Sequence, residues 1–195
     1  EELLCLLLEA PDLVHAATRR ICTFYLEANE RLFAEAGDRI DALFLGNDFG
    51  TQGGLLLSPD LLREFFLPWI ERFAAQARAH GLHCILHSCG GVSDVVDDLI
   101  AAGVDGLHPM QTTAFGMDPE TLARRFGGRI VFWGGVDTQQ LLQDGTPTEV
   151  AEEVLRLDRL FEHRVVIGPS HEALLPSVSI ENVLQIPRTL GRYDS

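Results

Sequence analysis

Apolar side chains recur along this chain with two periods, and the change from one to the other lays out the elements. Over residues 12–36 they fall three and four apart, at Leu13, Val14, Ala17, Ile21, Phe24, Tyr25, Ala28, Leu32 and Phe33. That spacing predicts one long amphipathic helix, with Gly37 as its C-terminal cap. The apolar run at residues 3–8 is flanked by Glu1, Glu2 and Glu9 and is far too short for a membrane span, so it predicts a packed helix. Further on, short apolar runs at residues 42–45, 84–88, 106–109, 130–133 and 165–167 predict strands.

The helices between these strands announce their starts. Ser58-Pro59-Asp60 supplies an N-cap, a proline at the first position and an early acid, for a helix reaching Gly81 with a break at Pro68. Ser93-Asp94 opens a helix closed by Gly103, and Asp118-Pro119-Glu120 opens one ending near Gly127. Thr146-Pro147-Thr148-Glu149 is a capping box for a helix running to about His163. Glu181 and Asn182 follow Ser179 at the start of the last helix, where a capping role is expected.

Strands alternating with helices imply parallel pairing and right-handed crossovers, hence an α/β architecture. Asn47-Asp48, His87 with Cys89, His108 with Gln111, Asp137 and Ser170-His171 each fall just after a strand. Polar groups gathered at the carboxyl ends of successive strands are the mark of a TIM (β/α)8 barrel's active face. Five strands are present where a closed barrel has eight, so residues 1–195 read as a single domain forming part of such a barrel. Two open parallel edges would remain, which points to a homodimer or a complementing chain.

The most chemical stretch is His87-Ser88-Cys89-Gly90-Gly91. Alternate strand residues share a face, so His87 and Cys89 point the same way with Cα atoms about 7 Å apart. An imidazole and a thiolate so placed can converge on a soft ion, and a catalytic zinc takes three protein ligands with one position open. The plain alternative is a buried cysteine acting as a small hydrophobe. His83 shares this face but stands about 13 Å from His87, too far to share an ion. Asp48 could orient a metal-bound histidine or contact substrate, or simply cap nearby amides, and Asp137 after Gly134-Gly135 has the same readings. His108 reads as a barrel histidine satisfied by its neighbours, or as a substrate contact.

Composition narrows the classes. The net charge is −14 and all 15 basic residues are arginine. Without lysine there is no Schiff base, no pyridoxal phosphate anchor and no Walker lysine. The acidic balance argues against nucleic acid or an anionic membrane as partner. The four cysteines suggest no disulfide framework, which fits a reduced cytoplasmic setting.

Several stretches together resemble the uroporphyrinogen decarboxylase superfamily, which also holds zinc- and cobalamin-linked methyltransferases acting on thiols. They are Asn47-Asp48-Phe49-Gly50-Thr51-Gln52, Ser58-Pro59 with Pro68, His87-Ser88-Cys89-Gly90, Gly103-Val104-Asp105, Pro109-Met110-Gln111, residues 132–138, and Gly168-Pro169-Ser170-His171 with Glu181-Asn182. The resemblance implies a TIM barrel whose fourth to eighth strands are those found here. In the methyltransferase branch a His-x-Cys pair and a cysteine after the last strand hold zinc. Here that last loop reads Ser170-His171-Glu172, so the resemblance offers His171 as third ligand, with Glu172 and Asp48 as oxygen alternatives.

The expected activity is methyl transfer from a corrinoid, free or on a partner protein, to a small thiol held at zinc. His87, Cys89 and His171 are the expected ligands, and Asp48 and His171 the expected catalytic groups. Gln52, His108, Gln111 and Asp137 are expected to contact substrate, while Gly90, Gly91, Gly134 and Gly135 would let a large flat cofactor approach. The alternatives are decarboxylation of a tetrapyrrole as in porphyrin biosynthesis, and a non-catalytic partial barrel. In the decarboxylase branch the histidine of the last loop contacts substrate, and the groups that grip the tetrapyrrole lie mainly in strands not present here.

Overall fold

The computed structural model describes residues 2–191. Helices α1 (Glu2–Glu9) and α2 (Pro11–Ala36) precede strand β1 (Ala42–Gly46), which leads into a small hairpin, β2 (Gly50–Thr51) and β3 (Gly54–Leu55). Then follow α3 (Pro59–Phe65), α4 (Leu67–Ala79), β4 (His83–His87), α5 (Val96–Ala101), β5 (Gly106–Met110), α6 (Pro119–Phe126) and β6 (Val131–Val136). The chain continues through α7 (Leu141–Asp144), α8 (Pro147–Leu160), β7 (Val165–Pro169) and α9 (Ile180–Thr189).

The sheet runs β1-β4-β5-β6-β7, every pair parallel. Each crossover therefore steps to the next strand and the order never reverses. A doubly wound sheet would reverse and bind at the reversal; this progression is that of a partial (β/α) barrel, whose site lies at the carboxyl ends.

Strand alternation divides the sheet. Leu86, Leu107 and Phe132 face the helices and are fully buried with Val95, Val96, Leu99, Leu122, Phe126, Val150, Val154 and Leu157. Each such side chain contributes about 1.5–3 kcal/mol by leaving water. A second cluster of Phe33, Ala74, Ala77, Leu82 and Cys84 ties α2 and α4 to the edge of the sheet. The other face carries Phe44, Ile85, His87, His108, Trp133 and Val166, and there Phe44 is 47% and Val166 46% exposed. A cavity of about 620 Å³ runs along its amino-terminal end, lined by His83, Ile85, Asp105, Val131, Trp133 and Val166 among others. It lies at the opposite end of the strands from His87 and Cys89.

The caps at Ser58, Asp118, Thr146 and Ser179 all form, each side chain accepting a backbone N–H three residues on, and Thr146 with Glu149 completes its box. Other expectations shift. Proline cannot donate within a helix, so the helix expected from residue 58 breaks at Phe66, and Pro68 sits in the first turn of α4. Gly37 keeps right-handed helical angles and begins a short 3-10 turn instead of a left-handed cap. Ser93 opens a 3-10 turn ahead of α5, α8 stops at Leu160, and the hairpin and α7 were not foreseen. No helix among the described residues is long and apolar enough to cross a membrane.

Asn182 does more than open α9. Its buried amide donates to the carbonyls of Leu142 (3.3 Å) and Gly145 (2.8 Å), pinning α7 to α9. Asn182→Ala leaves the Gly145 carbonyl unpaired, while that of Leu142 keeps the Ser179 N–H (3.2 Å), and chemical denaturation should show a loss of about 1–2 kcal/mol. An unchanged midpoint would mean that water satisfies the Gly145 carbonyl.

Candidate metal centre

Parallel register brings Gly46, His87 and His108 abreast at the carboxyl ends of β1, β4 and β5. Residues so paired project from one face about 4.8 Å apart, which puts the two imidazoles side by side. The turn after β4 is held from both neighbouring strands. Ser88 donates its N–H to the His108 carbonyl (2.7 Å), its buried Oγ accepts from Phe49 N (2.9 Å), and Asp48 Oδ1 accepts from Cys89 N (2.9 Å).

Three donor atoms converge above this turn. Cys89 Sγ lies 3.6 Å from His87 Nε2 and 3.3 Å from Glu172 Oε2, and His87 Nε2 lies 3.5 Å from Glu172 Oε2. Asp48 Oδ1 stands 3.4 Å from His87 Nε2. A tetrahedral zinc with nitrogen and oxygen at about 2.0 Å and sulfur at about 2.3 Å holds its donors about 3.3–3.6 Å apart. The spacing therefore fits the ion, and the nitrogen, sulfur and oxygen set suits zinc. His171 adjoins Cys89 and Glu172 with a ligand atom within 4.8 Å of each.

Electrostatics point the same way. Burial, a hydrogen bond to Glu172 and the negative charges of Asp48 and Glu172 push the Cys89 thiol up to about 12. Burial also raises the Glu172 carboxyl, but the Cys89 thiol, a backbone hydrogen bond and the neighbouring His171 and His87 together outweigh it and hold that group below the usual range. The thiol therefore keeps its proton and donates it to Glu172 Oε2, and an ion bound here would displace that proton. Burial, then the proximity of His87, lowers the His108 imidazole and favours its neutral form.

The structure distributes the expected site residues unevenly. His87, Cys89, Asp48 and His171 come together. His171 Nδ1, however, accepts the Ala173 N–H (3.1 Å), which leaves the neutral ring's proton on Nε2 and argues against it as a ligand. Glu172 Oε2 stands nearer the pair, 3.3 Å from Cys89 Sγ and 3.5 Å from His87 Nε2. Gln52 and Gln111 spend their amides internally: Gln111 Nε2 donates to Gln52 Oε1 (2.7 Å), Gln111 Oε1 accepts from Gly90 N (2.9 Å), and Gln52 Nε2 donates to the Thr113 carbonyl (2.8 Å). Asp137 accepts from the backbone N–H groups of Gln139, Gln140 and Leu141, so its carboxylate caps α7.

The glycines are likewise explained by the protein's own packing. A Cβ at Gly90 would fall on the backbone of Gly50 and Thr51, and one at Gly91 on that of Phe115. At Gly134 it would meet Met110 N and Pro169 O at 3.0 Å, and at Gly135 the Met110 side chain at 2.5 Å. At all four positions the chain's own segments come close. A cavity of about 200 Å³ does adjoin the cluster, lined by Thr138, Gln139, Gln143, His171, Ala173 and Leu175.

Residues 1–193 match the family described as uroporphyrinogen decarboxylase (URO-D). No curated protein matches the chain. Among solved structures, a methyltransferase from Methanosarcina mazei superposes with a TM-score of 0.70 at 21% identity, over 95% of this chain and 51% of that one. The chain thus spans about half the length of that structure, and the likeness shows the fold.

Proposed function

The chain belongs to the uroporphyrinogen decarboxylase family, and from that premise we propose that His87, Cys89 and Glu172 hold zinc in an enzyme that transfers a methyl group from a corrinoid to a thiol. The observation that carries the reading is the triangle of three chemically different donors at tetrahedral spacing. The methyltransferase among its structural neighbours supports it.

When bound, zinc would supply a Lewis acid that lowers the pKa of an incoming thiol and keeps it anionic at neutral pH. The chain's own groups supply the rest. Asp48 fixes the Cys89 backbone and lies against His87 Nε2. His171 keeps its proton on Nε2 and lines the small cavity, where it would donate to a polar group of the acceptor. A methylated corrinoid, when bound, would supply the methyl group and keep the electron pair of the bond it loses, and the thiol proton would pass to solvent.

Decarboxylation of a polyacidic tetrapyrrole needs free cations, and Arg63, Arg124 and Arg129 are engaged elsewhere. Arg63 pairs with Asp98 (2.9 Å) and Asp60 (3.0 Å), Arg129 with Asp97 (2.8 Å), and Arg124 donates to Thr121 (3.3 Å).

Elemental analysis of the purified chain and a methylcobalamin-to-thiol assay test the proposal together. About one zinc per chain and thiol methylation are expected, with zinc affinity falling at least tenfold in Glu172→Gln and changing less than threefold in His171→Gln. A chain that takes up no zinc under reducing conditions would overturn the metal reading. Zinc without methyl transfer would overturn the reaction.

A further inference from the structure

The metal reading assigns work to His87 Nε2 and leaves the other nitrogen of that ring unexplained. His87 Nδ1 lies 2.9 Å from His108 Nδ1, a hydrogen bond between like atoms. Only one proton can sit between them, so one ring must donate and the other accept. If His108 donated, neutral His87 would carry its proton on Nε2 and direct it at Asp48 and Glu172. Those oxygens stand at 3.4 and 3.5 Å, beyond the usual reach of an N–H···O bond, and the remaining neighbour, Cys89 Sγ at 3.6 Å, is only a weak acceptor. If His87 donates, its Nε2 presents a bare lone pair to the donor cluster, and the same distances become the edges of a coordination tetrahedron.

We infer that His108 is a positioning residue for the metal centre: its Nδ1 accepts the Nδ1–H of His87 and so selects the tautomer and ring orientation that offer His87 Nε2 to the ion. The inference rests on the metal reading above. Register supplies the pairing, since β4 and β5 place the two residues directly side by side. Packing supplies the orientation. The His108 ring is held edge-on by Trp133 (centroids 5.1 Å apart) and Phe44 (5.4 Å), so its Nδ1 is aimed by aromatic neighbours that have no part in the chemistry. A ligand histidine held through its second nitrogen binds its metal more tightly, and loss of such a partner lowers affinity 10–100-fold as an order of magnitude.

The test uses the zinc- and cobalt(II)-loaded chain with His108→Phe, which keeps an aromatic ring without an acceptor, and His108→Asn, whose Oδ1 restores an acceptor near Nδ1. Chelator competition should show zinc affinity about 10–100-fold weaker in His108→Phe and recovered to within a few-fold in His108→Asn. The cobalt(II) visible bands should move in the first variant and return in the second. Unchanged affinity and bands in His108→Phe would overturn the inference, as would equal losses in both variants, which a packing role alone would produce. Nitrogen-15 spectra of the unmodified zinc-loaded chain give an answer that needs no variant to fold. They should show His87 protonated at Nδ1 and His108 at Nε2, and a proton on His108 Nδ1 would overturn the assignment. Failure of the unmodified chain to bind metal would instead count against the metal reading itself.

Discussion

Cys89→Ala is expected to weaken zinc binding about 10²–10³-fold and to bring the metal content of the dialysed protein from about one ion per chain to near none. Structural zinc sites with four ligands bind with apparent free energies of about 10–16 kcal/mol, so one thiolate among them accounts for roughly 3–4 kcal/mol. The substitution is also clean. Asp48 grips the backbone N–H of Cys89 and not its sulfur, so the turn stays in place when the thiol is removed. Retention of the ion at full affinity would remove Cys89 from the ligand set. The same thiol sets the pH dependence. Without metal its pKa is raised to about 12, so it is protonated throughout the neutral range and zinc must displace that proton. Apparent affinity should therefore rise about tenfold per unit of pH between roughly 6 and 9 on account of this group, and fall as pH is lowered. Cys89→Ala should flatten that slope by one proton.

Gly90→Ala is expected to cost about 2–5 kcal/mol of stability. Gly90 has φ +82°, and a Cβ there would fall on the backbone of Gly50 and Thr51, neither of which can move like a side-chain tip. The left-handed conformation contributes about 1–2 kcal/mol and the overlap about 1–3 kcal/mol. Gly81 is the control. Its φ is +73°, but nothing lies within 4 Å of the added carbon, so Gly81→Ala should lose about 1 kcal/mol from conformation alone. Urea denaturation of both variants separates the terms. Equal losses would mean that the contact between the hairpin and the metal-site turn can yield. Gly90 also donates to Gln111 Oε1 next to Cys89, so its variant should bind zinc less tightly as well.

The elements were legible because their causes are local. The caps at Ser58, Asp118 and Thr146 act within three residues, proline forces the break before α4, and β4 to β7 follow from short apolar runs between polar loops. The His-x-Cys pair was legible for a similar reason, since its residues stand two apart where β4 ends, His87 as the last strand residue and Cys89 in the turn that follows. Where local signals were weak the expectations slipped. The two-residue strands of the hairpin carry no period, and the four residues of α7 are too few to show one.

By itself the sequence determined the alternation of strands and helices, the absence of lysine chemistry, and the presence of an imidazole and a thiol two residues apart at the carboxyl end of a strand. Tertiary structure alone decided what those two groups meet. Glu172 reaches Cys89 from 83 residues away, and His108 reaches His87 across 21. Of two adjacent residues, Glu172 accepts the hydrogen bond of the thiol, while His171, within 4.8 Å of it, spends its Nδ1 on the Ala173 N–H. The glycines have the same history: Gly90, Gly91, Gly134 and Gly135 stand where a ligand could approach, and the fold brings backbone against the first three and the Met110 and Leu157 side chains against the last. Local spacing fixes direction along an element, whereas a site is made by register and loop packing between elements, and those depend on contacts that no short window of sequence contains.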